Sequence, residues 1–344
     1  MENLIAEMDT AEIVAPPLRS SMGRLPLGPI EKVHNRLAKA SHRGAARNLS
    51  FAPVQPAHDE YEMFFALLLC PDDALGLLAV DRWRERSGVA VAWLIEAWYD
   101  DLDTWKGHWD LLAQFDHVFV TMEVTRDKVG EKVGSPVGYL PYGTDTLVFS
   151  PPSLDRSRPI DMLSLGRRTA GTHAHLLDRA RREDFYYQYD SIHASEVKDH
   201  VEHRFLYASQ AQRSKFFVAH RSKIGAPEIG DQHEFGGRFF DAAAAGTVSV
   251  GEFPDTDRFR EAFDWEGWGI PLAVDADPAP VFEMAADDPD RIEAGRRRSI
   301  ANSLDRHDWL HRWSTILDAA GLDESAGMQD RRRALAERRS SFLD

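Results

Sequence analysis

Short apolar runs alternate with longer amphipathic ones along most of this chain, and that alternation constrains its fold more than any other feature. Apolar runs of about four to eight residues fit strands covered on both faces, and strands spaced by helical patterns call for a parallel sheet with helical crossovers. In a first series the predicted strands are Met63 to Leu69, Ala90 to Ile95, His117 to Thr121 and Val137 to Leu140, with helices over Ala74 to Arg86 and Trp105 to Phe115. Pro151, Pro152 and the charged Asp155, Arg156 and Arg158 then read as a linker. A second series follows, with strands at Ile160 to Leu165, Phe185 to Tyr189, Phe216 to His220, Val248 to Val250 and Pro271 to Val274. Its helices are His173 to Arg182, Glu196 to Ala208, Phe235 to Ala245 and Asp257 to Phe263. After Pro280 the pattern is helical, ending in a charged tail from Arg331 to Arg339. At the other end, Pro16, Pro17, Pro26 and Pro29 break any period ahead of a basic stretch from Lys32 to Arg47, which reads as an irregular arm.

A length of 344 residues exceeds what one core usually organises, so two domains are expected: 1–150 with the arm, 151–315, and a helical tail over 316–344. The fold class is α/β, with two Rossmann-like domains facing a central cleft. Open parallel sheets bind ligands beyond the carboxyl ends of their strands, which makes a nucleotide-dependent enzyme the leading thought. A formal charge of -15 argues against general nucleic-acid binding, so any phosphate site must be local. Cys70 is the only cysteine, which excludes an internal disulfide. No apolar stretch is long enough for a membrane span, and Glu2, Glu7 and Asp9 are unlike the basic start of a signal peptide. A cytoplasmic protein is expected.

The segment from Glu234 to Val248 is the most informative. Gly236 and Gly237 let backbone N–H groups approach a ligand, the positive end of the following helix attracts a diphosphate, and Arg238 can fork onto the same oxygens. Glu234 and Asp241 lie two turns apart, one placed for sugar hydroxyls and the other for a ribose. The competing reading is a buried helix with a Glu234–Arg238 ion pair.

These residues resemble the two-domain, retaining-type glycosyltransferases of GT-B architecture, in particular the branch similar to spore-maturation glycosyltransferases. There a glutamate, a glycine-containing turn, a second acidic residue and an alanine-rich stretch ending in Gly-Thr form the donor site. Asp241, five residues before Gly246, falls where the second glutamate stands, although the acidic pair is one residue closer than in the family. Three further segments extend the resemblance. Leu140, Pro141, Tyr142, Gly143, Thr144, Asp145 and later Phe149 and Pro151 look like the interdomain passage. Gly166, Arg167 and Arg168 stand where the family holds donor phosphates. Trp93 to Trp98 and Phe115 to Val120 resemble the N-terminal half of that branch.

The resemblance implies transfer of a sugar from a nucleoside diphosphate sugar, with no metal and no cofactor, to an unidentified acceptor; a homodimer is left open. Donor binding is expected from Gly143, Gly166, Arg167, Arg168, Lys215, Arg221, Gly236, Gly237 and Asp241, and catalysis from Glu234, Arg238 and Glu96. Lys215, Arg221 and Lys223 enter because they fall near expected strand ends, forming a local basic pocket in an acidic protein. His58, Asp59, Glu60 and Glu96 are the candidates for accepting the proton of the incoming hydroxyl, and Glu96, between Trp93 and Trp98, is preferred. Tyr187 and Tyr189 could stack on a base. Asp101 and Asp103 spell the Asp-X-Asp of manganese-dependent transferases but read as an acidic turn; His173 with His175 and His307 with His311 read as packing or surface pairs. A sugar-nucleotide epimerase on the same scaffold and a non-catalytic nucleotide-sugar-binding protein are the alternatives.

Overall fold

The computed structural model describes residues 1–16, 51–105, 107–190, 197, 199–224 and 232–343. The basic stretch from Lys32 to Arg47 and the start of the helix expected at Glu196 lie outside the described residues. In chain order the elements are α1 (Glu2–Met8), β1 (Tyr61–Leu68), β2 (Ser87–Leu94), α2 (Trp109–Leu112), β3 (His117–Val120), α3 (Arg126–Val133), β4 (Val137–Tyr139) and α4 (Thr146–Phe149). The second series runs β5 (Ile160–Ser164), α5 (Ala170–Arg182), β6 (Tyr187–Tyr189), α6 (His200–Gln212), β7 (Ser214–Val218), α7 (Gly237–Ala244), β8 (Val248–Gly251), α8 (Asp257–Ala262) and β9 (Gly269–Pro271). Four helices close the chain: α9 (Ala279–Asp287), α10 (Pro289–Arg306), α11 (Trp309–Ala320) and α12 (Ala326–Ser340).

The chain divides into two compact units. The first holds Glu2–Pro141 and Arg312–Ser325, the second Tyr142–His311 and Ala326–Asp344. The break falls at 141/142, ahead of the Pro151 linker, because α4 belongs to the second unit: Phe149, with Tyr142 and Val148 packed nearby, joins the core built around Phe217, Phe239 and Phe240. The last helices separate as well. Arg312 donates to the Pro141 carbonyl at 3.1 Å and Trp313 to Asp9 at 3.0 Å within the first unit. In the second unit Arg331 on α12 bonds Asp145 at 2.8 Å and Asp308 at 2.7 Å.

The first unit carries a parallel sheet in the order β1-β2-β3-β4. Its core gathers Ala90, Ala92, Leu94, Val118 and Val120 with Trp83, Leu112 and Phe115. The helix expected over Ala74 to Arg86 is instead a 3-10 helix at Pro71–Ala79. A backbone bridge between Val54 and Val80 draws the chain into an extended conformation there and ends the helix early.

The second unit carries a five-stranded parallel sheet in the order β6-β5-β7-β8-β9. Successive residues of a strand point to opposite faces, so Met162 and Phe216 join one core while Leu163 and Phe217 join the other. Both faces are covered, as continuous apolar runs require of a parallel sheet. The last strand lies at Gly269–Pro271, earlier than Pro271 to Val274, because Ile270 pairs with Val250 and Asp275 takes a left-handed turn (φ 60°). Among the described residues no helix is long and apolar enough to cross a membrane.

Candidate functional site at the carboxyl pole of the second sheet

In the second sheet the chain leaves β5 toward β6 on one side and returns to β7 on the other. Crossovers leaving in opposite directions open a crevice at the carboxyl ends of β5 and β7, the topological switch point where open α/β sheets bind ligands. Two segments border this crevice: the loop after β5, with Gly166, Arg167 and Arg168, and the chain from Ala219 onward after β7, which ends in Glu234–Gly236 and α7.

Arg238, in the first turn of α7, reaches back to the β5 loop. A Cβ on Gly166 would lie 2.1 Å from its Nη2, and Gly166 sits at φ 75°, so close approach and backbone conformation both call for glycine. Half-buried there, the Arg238 guanidinium makes no hydrogen bond or ion pair among the described residues. Burial lowers its pKa, opposed by Tyr207, Asp190 and Asp241, but an arginine stays protonated under such a shift. The Glu234–Arg238 ion pair of the competing reading does not form.

What could quench that charge is held elsewhere. Asp241, one turn along α7, accepts from the Thr144 hydroxyl at 2.6 Å and the Tyr207 hydroxyl at 3.0 Å. Burial raises its pKa to about 6 against the pull of both hydrogen bonds and of Arg238. Each of its oxygens thus already has a protein partner. Asp190, just past β6, accepts the Gly166 N–H at 2.8 Å and pairs with Arg168 at 3.2 Å, fixing the β5 loop.

Among the described residues nothing covers the N-terminus of α7: its N-cap, Gly236, is extended and gives no side-chain cap, and Cβ atoms at Gly236 and Gly237 would meet nothing closer than 3.6 Å and 3.9 Å. The first N–H groups of a helix lack intrahelical partners and carry its positive pole, so this start and the Arg238 guanidinium beside it share the polarity that attracts an anion. The helix begins at Gly237, later than Phe235, which leaves Glu234 in the lead-in rather than on the helix. Glu234 is buried, accepts from the Gln232 amide at 2.9 Å, and its carbonyl takes the Ser222 N–H at 2.7 Å.

Gly166, Arg167, Arg168, Gly236, Gly237, Arg238 and Asp241 therefore share one pole of the second unit. Two expected donor ligands are engaged by carboxylates of the protein. Lys215 opens β7, at the amino end of the sheet, and pairs with Asp161 at 2.6 Å; proximity to a strand end in sequence did not distinguish the two ends. Arg221 is at the carboxyl end, but its Nε is committed to Glu252 at 2.7 Å. Arg168 is similarly engaged by Asp190 and stands over the Tyr189 ring at 5.2 Å. Gly143 owes its identity to packing, since a Cβ there would meet the His307 carbonyl and the Trp309 ring at 3.0 Å. Glu96 belongs to the first unit, half-buried just past β2. Asp103 of the Asp-X-Asp is clamped by Lys128 and Lys132, whose hydrogen bonds lower its pKa to about 2.

Sequence reasoning missed Asp190, Thr144 and Tyr207. Asp190 had a signal, a carboxylate directly after a strand next to the glycine loop. Thr144 and Tyr207 had none, because only the fold brings residues 97 and 34 positions away to Asp241.

No protein-family model and no curated protein matches the sequence. Solved structures do match. The Anabaena protein Alr3699/HepE, determined in complex with UDP and glucose, is similar over 93% of this chain and 88% of its own, at 11% identity and a TM-score of 0.51. TarM is similar over 75% of this chain and 54% of its own, at 8% identity and a TM-score of 0.47, so this chain spans about half the length of TarM. An α,α-trehalose-phosphate synthase (UDP-forming) from Burkholderia vietnamiensis is similar over 88% of this chain and 82% of its own, at 11% identity and a TM-score of 0.47. The likeness to Alr3699/HepE, with the two parallel sheets, establishes the expected α/β fold of the GT-B type.

Proposed function

We propose that this chain is a glycosyltransferase that takes its sugar from a nucleoside diphosphate sugar bound at the carboxyl pole of the second sheet. One observation carries the reading: a half-buried guanidinium, Arg238, with no partner among the described residues, packed under Gly166 beside the uncapped start of α7. Alr3699/HepE, a solved protein of similar fold, was determined in complex with UDP and glucose, which supports a nucleotide sugar as the ligand.

When the bond from sugar to diphosphate breaks, negative charge grows on the departing phosphate while the sugar becomes oxocarbenium-like. Arg238 and the α7 amides are aimed where that charge develops and need no reorganisation to meet it. Arg167, exposed on the β5 loop, adds a second cation. Glu234 flanks the same turn and is assigned to donor hydroxyls, while Asp241, with both oxygens engaged by Thr144 and Tyr207, holds α7 in place beside it. Transfer is proposed to need no metal, since Arg238, Arg167 and the helix end supply the electrophile, whereas Asp103 is neutralised by two lysines.

The test is product formation. The full chain, a panel of nucleoside diphosphate sugars and an acceptor extract are incubated with and without chelator, and products are read by mass spectrometry. A mass gain of one sugar residue on an acceptor, unchanged by the chelator, is expected. Conversion of donor without any acceptor would assign an epimerase instead, and no conversion or binding of any donor would overturn the reading.

A further inference from the structure

His220 lies just past β7, on the crevice side of the switch point, and is only 6% exposed. Its Nδ1 accepts the backbone N–H of Glu252 at 3.0 Å. A backbone amide can only donate, so the lone pair must be on Nδ1 and the proton of the neutral ring on Nε2. The chain is shaped for this contact. Gly251 adopts φ 159°, and a Cβ there would stand 2.1 Å from the Ala219 carbonyl and 2.8 Å from Nδ1 itself. Any other residue at 251 would push Glu252 away and release the tautomer.

The second nitrogen faces away from β8. It is buried and has no hydrogen-bond partner among the described residues. An orphaned buried donor costs roughly 1–3 kcal/mol, and such groups are rare enough that each calls for a reason. A second one follows the β5 loop. Thr169, the N-cap of α5, is buried, yet among the described residues its hydroxyl neither caps the helix nor finds any other partner. Its capping role is displaced because the N–H of Gly171 is taken by Asp275 at 2.5 Å. That same Asp275 acts electrostatically on His220, as do Arg238 from α7 and Glu252 from the end of β8. The two orphans, the free guanidinium and the open helix end therefore belong to one pole.

We propose that His220 and Thr169 are donor-binding residues: a neutral imidazole Nε2–H and a hydroxyl that hydrogen-bond oxygens of the diphosphate. This rests on the donor-site reading above and deepens it, because Arg238 supplies charge whereas these two supply direction. Imidazolium is excluded from the role by the Glu252 amide, which would be left facing a second N–H. Burial likewise lowers the His220 pKa, with Arg238 adding to that and Glu252 and Asp275 opposing it.

The probe is inorganic pyrophosphate, the group common to all nucleoside diphosphate sugars. In the full chain, imidazole 15N NMR is expected to show His220 as the Nε2–H tautomer, titrating below the ordinary histidine range, and a saturable shift of that N–H as pyrophosphate is added. By calorimetry His220→Phe weakens pyrophosphate about 10-fold, His220→Gln, which restores an N–H at similar reach, stays within about 3-fold, and Thr169→Val loses about 3-fold. Pyrophosphate binding that leaves the His220 resonance unmoved and the Phe variant unimpaired would overturn this proposal alone. Failure of the wild-type chain to bind pyrophosphate or any nucleoside diphosphate would remove the donor site itself.

Discussion

Arg158 and Arg238 are both half-buried arginines of the second unit, and the fold uses them in opposite ways. Arg158, ahead of β5 at the amino pole of the sheet, spends its guanidinium on the carbonyls of Ser214 at 2.8 Å and Ala245 at 2.9 Å and on the Thr247 hydroxyl at 3.3 Å. It closes the carboxyl end of α7, where free carbonyls and the negative helix pole want a cation. Burial lowers its pKa to about 9, with Arg296 adding to the shift, and still it is charged at neutral pH. Arg238 sits at the other end of the same helix, where the pole is positive and backbone amides offer it nothing. A cation there is unfavourable to the helix, and among the described residues it makes no hydrogen bond or ion pair; in the proposed function the donor diphosphate balances it. At the amino pole Lys215 also pairs with Asp161 and Arg296 donates to the Lys215 carbonyl; at the carboxyl pole Arg168 and Arg221 pair with Asp190 and Glu252, whereas Arg167 and Arg238 make no ion pair among the described residues.

The comparison breaks most visibly at Arg158. Arg158→Met should lower the free energy of unfolding by about 2–4 kcal/mol, seen as an earlier urea midpoint, because three acceptors lose a charged donor together. Pyrophosphate affinity of the folded fraction should stay within about 2-fold. A variant as stable as wild type would mean the amino-pole contacts are incidental.

A smaller effect is expected from a matched glycine pair. Gly134 and Gly166 have nearly the same φ, 74° and 75°, but a Cβ at Gly134 meets nothing within 4 Å whereas one at Gly166 meets Arg238. Gly134→Ala should cost about 1 kcal/mol of stability, the backbone cost alone, and leave ligand binding intact. Gly166→Ala should cost that much or slightly more and also weaken pyrophosphate about 10-fold by displacing the guanidinium. Equal behaviour of the two variants in binding would place the ligand away from Arg238.

The smallest effect is read in pH. Asp241 has a folded pKa near 6, above its unfolded value of 3.8, so between those values the native state binds more protons than the unfolded one. Its contribution therefore favours folding at low pH and is lost as pH rises through about 6. Asp241→Asn removes the charged form. Relative to wild type, the variant should gain melting temperature at pH 8 and little at pH 5, and a constant difference across that range would show that Asp241 does not titrate there.

Much of this was legible in the residues. All nine strands of the two sheets lie at or within a few positions of an apolar run, because strands covered on both faces must be apolar throughout. Gly166, Arg167 and the turn at Gly236–Arg238, singled out because a glycine after a strand or before a helix lets backbone approach a ligand, come together at one pole of the second unit. The misplacements share one cause, that charge partners are set by the sheet order and not by the sequence. Lys215 precedes the expected strand, and only the fold shows that Asp161 takes its charge, while Arg221 looks free until the end of β8 brings Glu252 beside it. His220 read only as the last residue of a strand, because the partner that fixes its tautomer is 32 residues away.

Calorimetric titration of the wild-type chain and Arg238→Met with a panel of nucleoside diphosphates tests the central claim most directly. The account predicts binding of at least one nucleotide by the wild type, a loss of about 100-fold in the variant, and an unfolding midpoint that is unchanged or higher because an unpaired buried charge has gone. A variant that binds within about 3-fold of wild type, or one that unfolds markedly earlier, would place Arg238 with Arg158 among the arginines that hold the fold together.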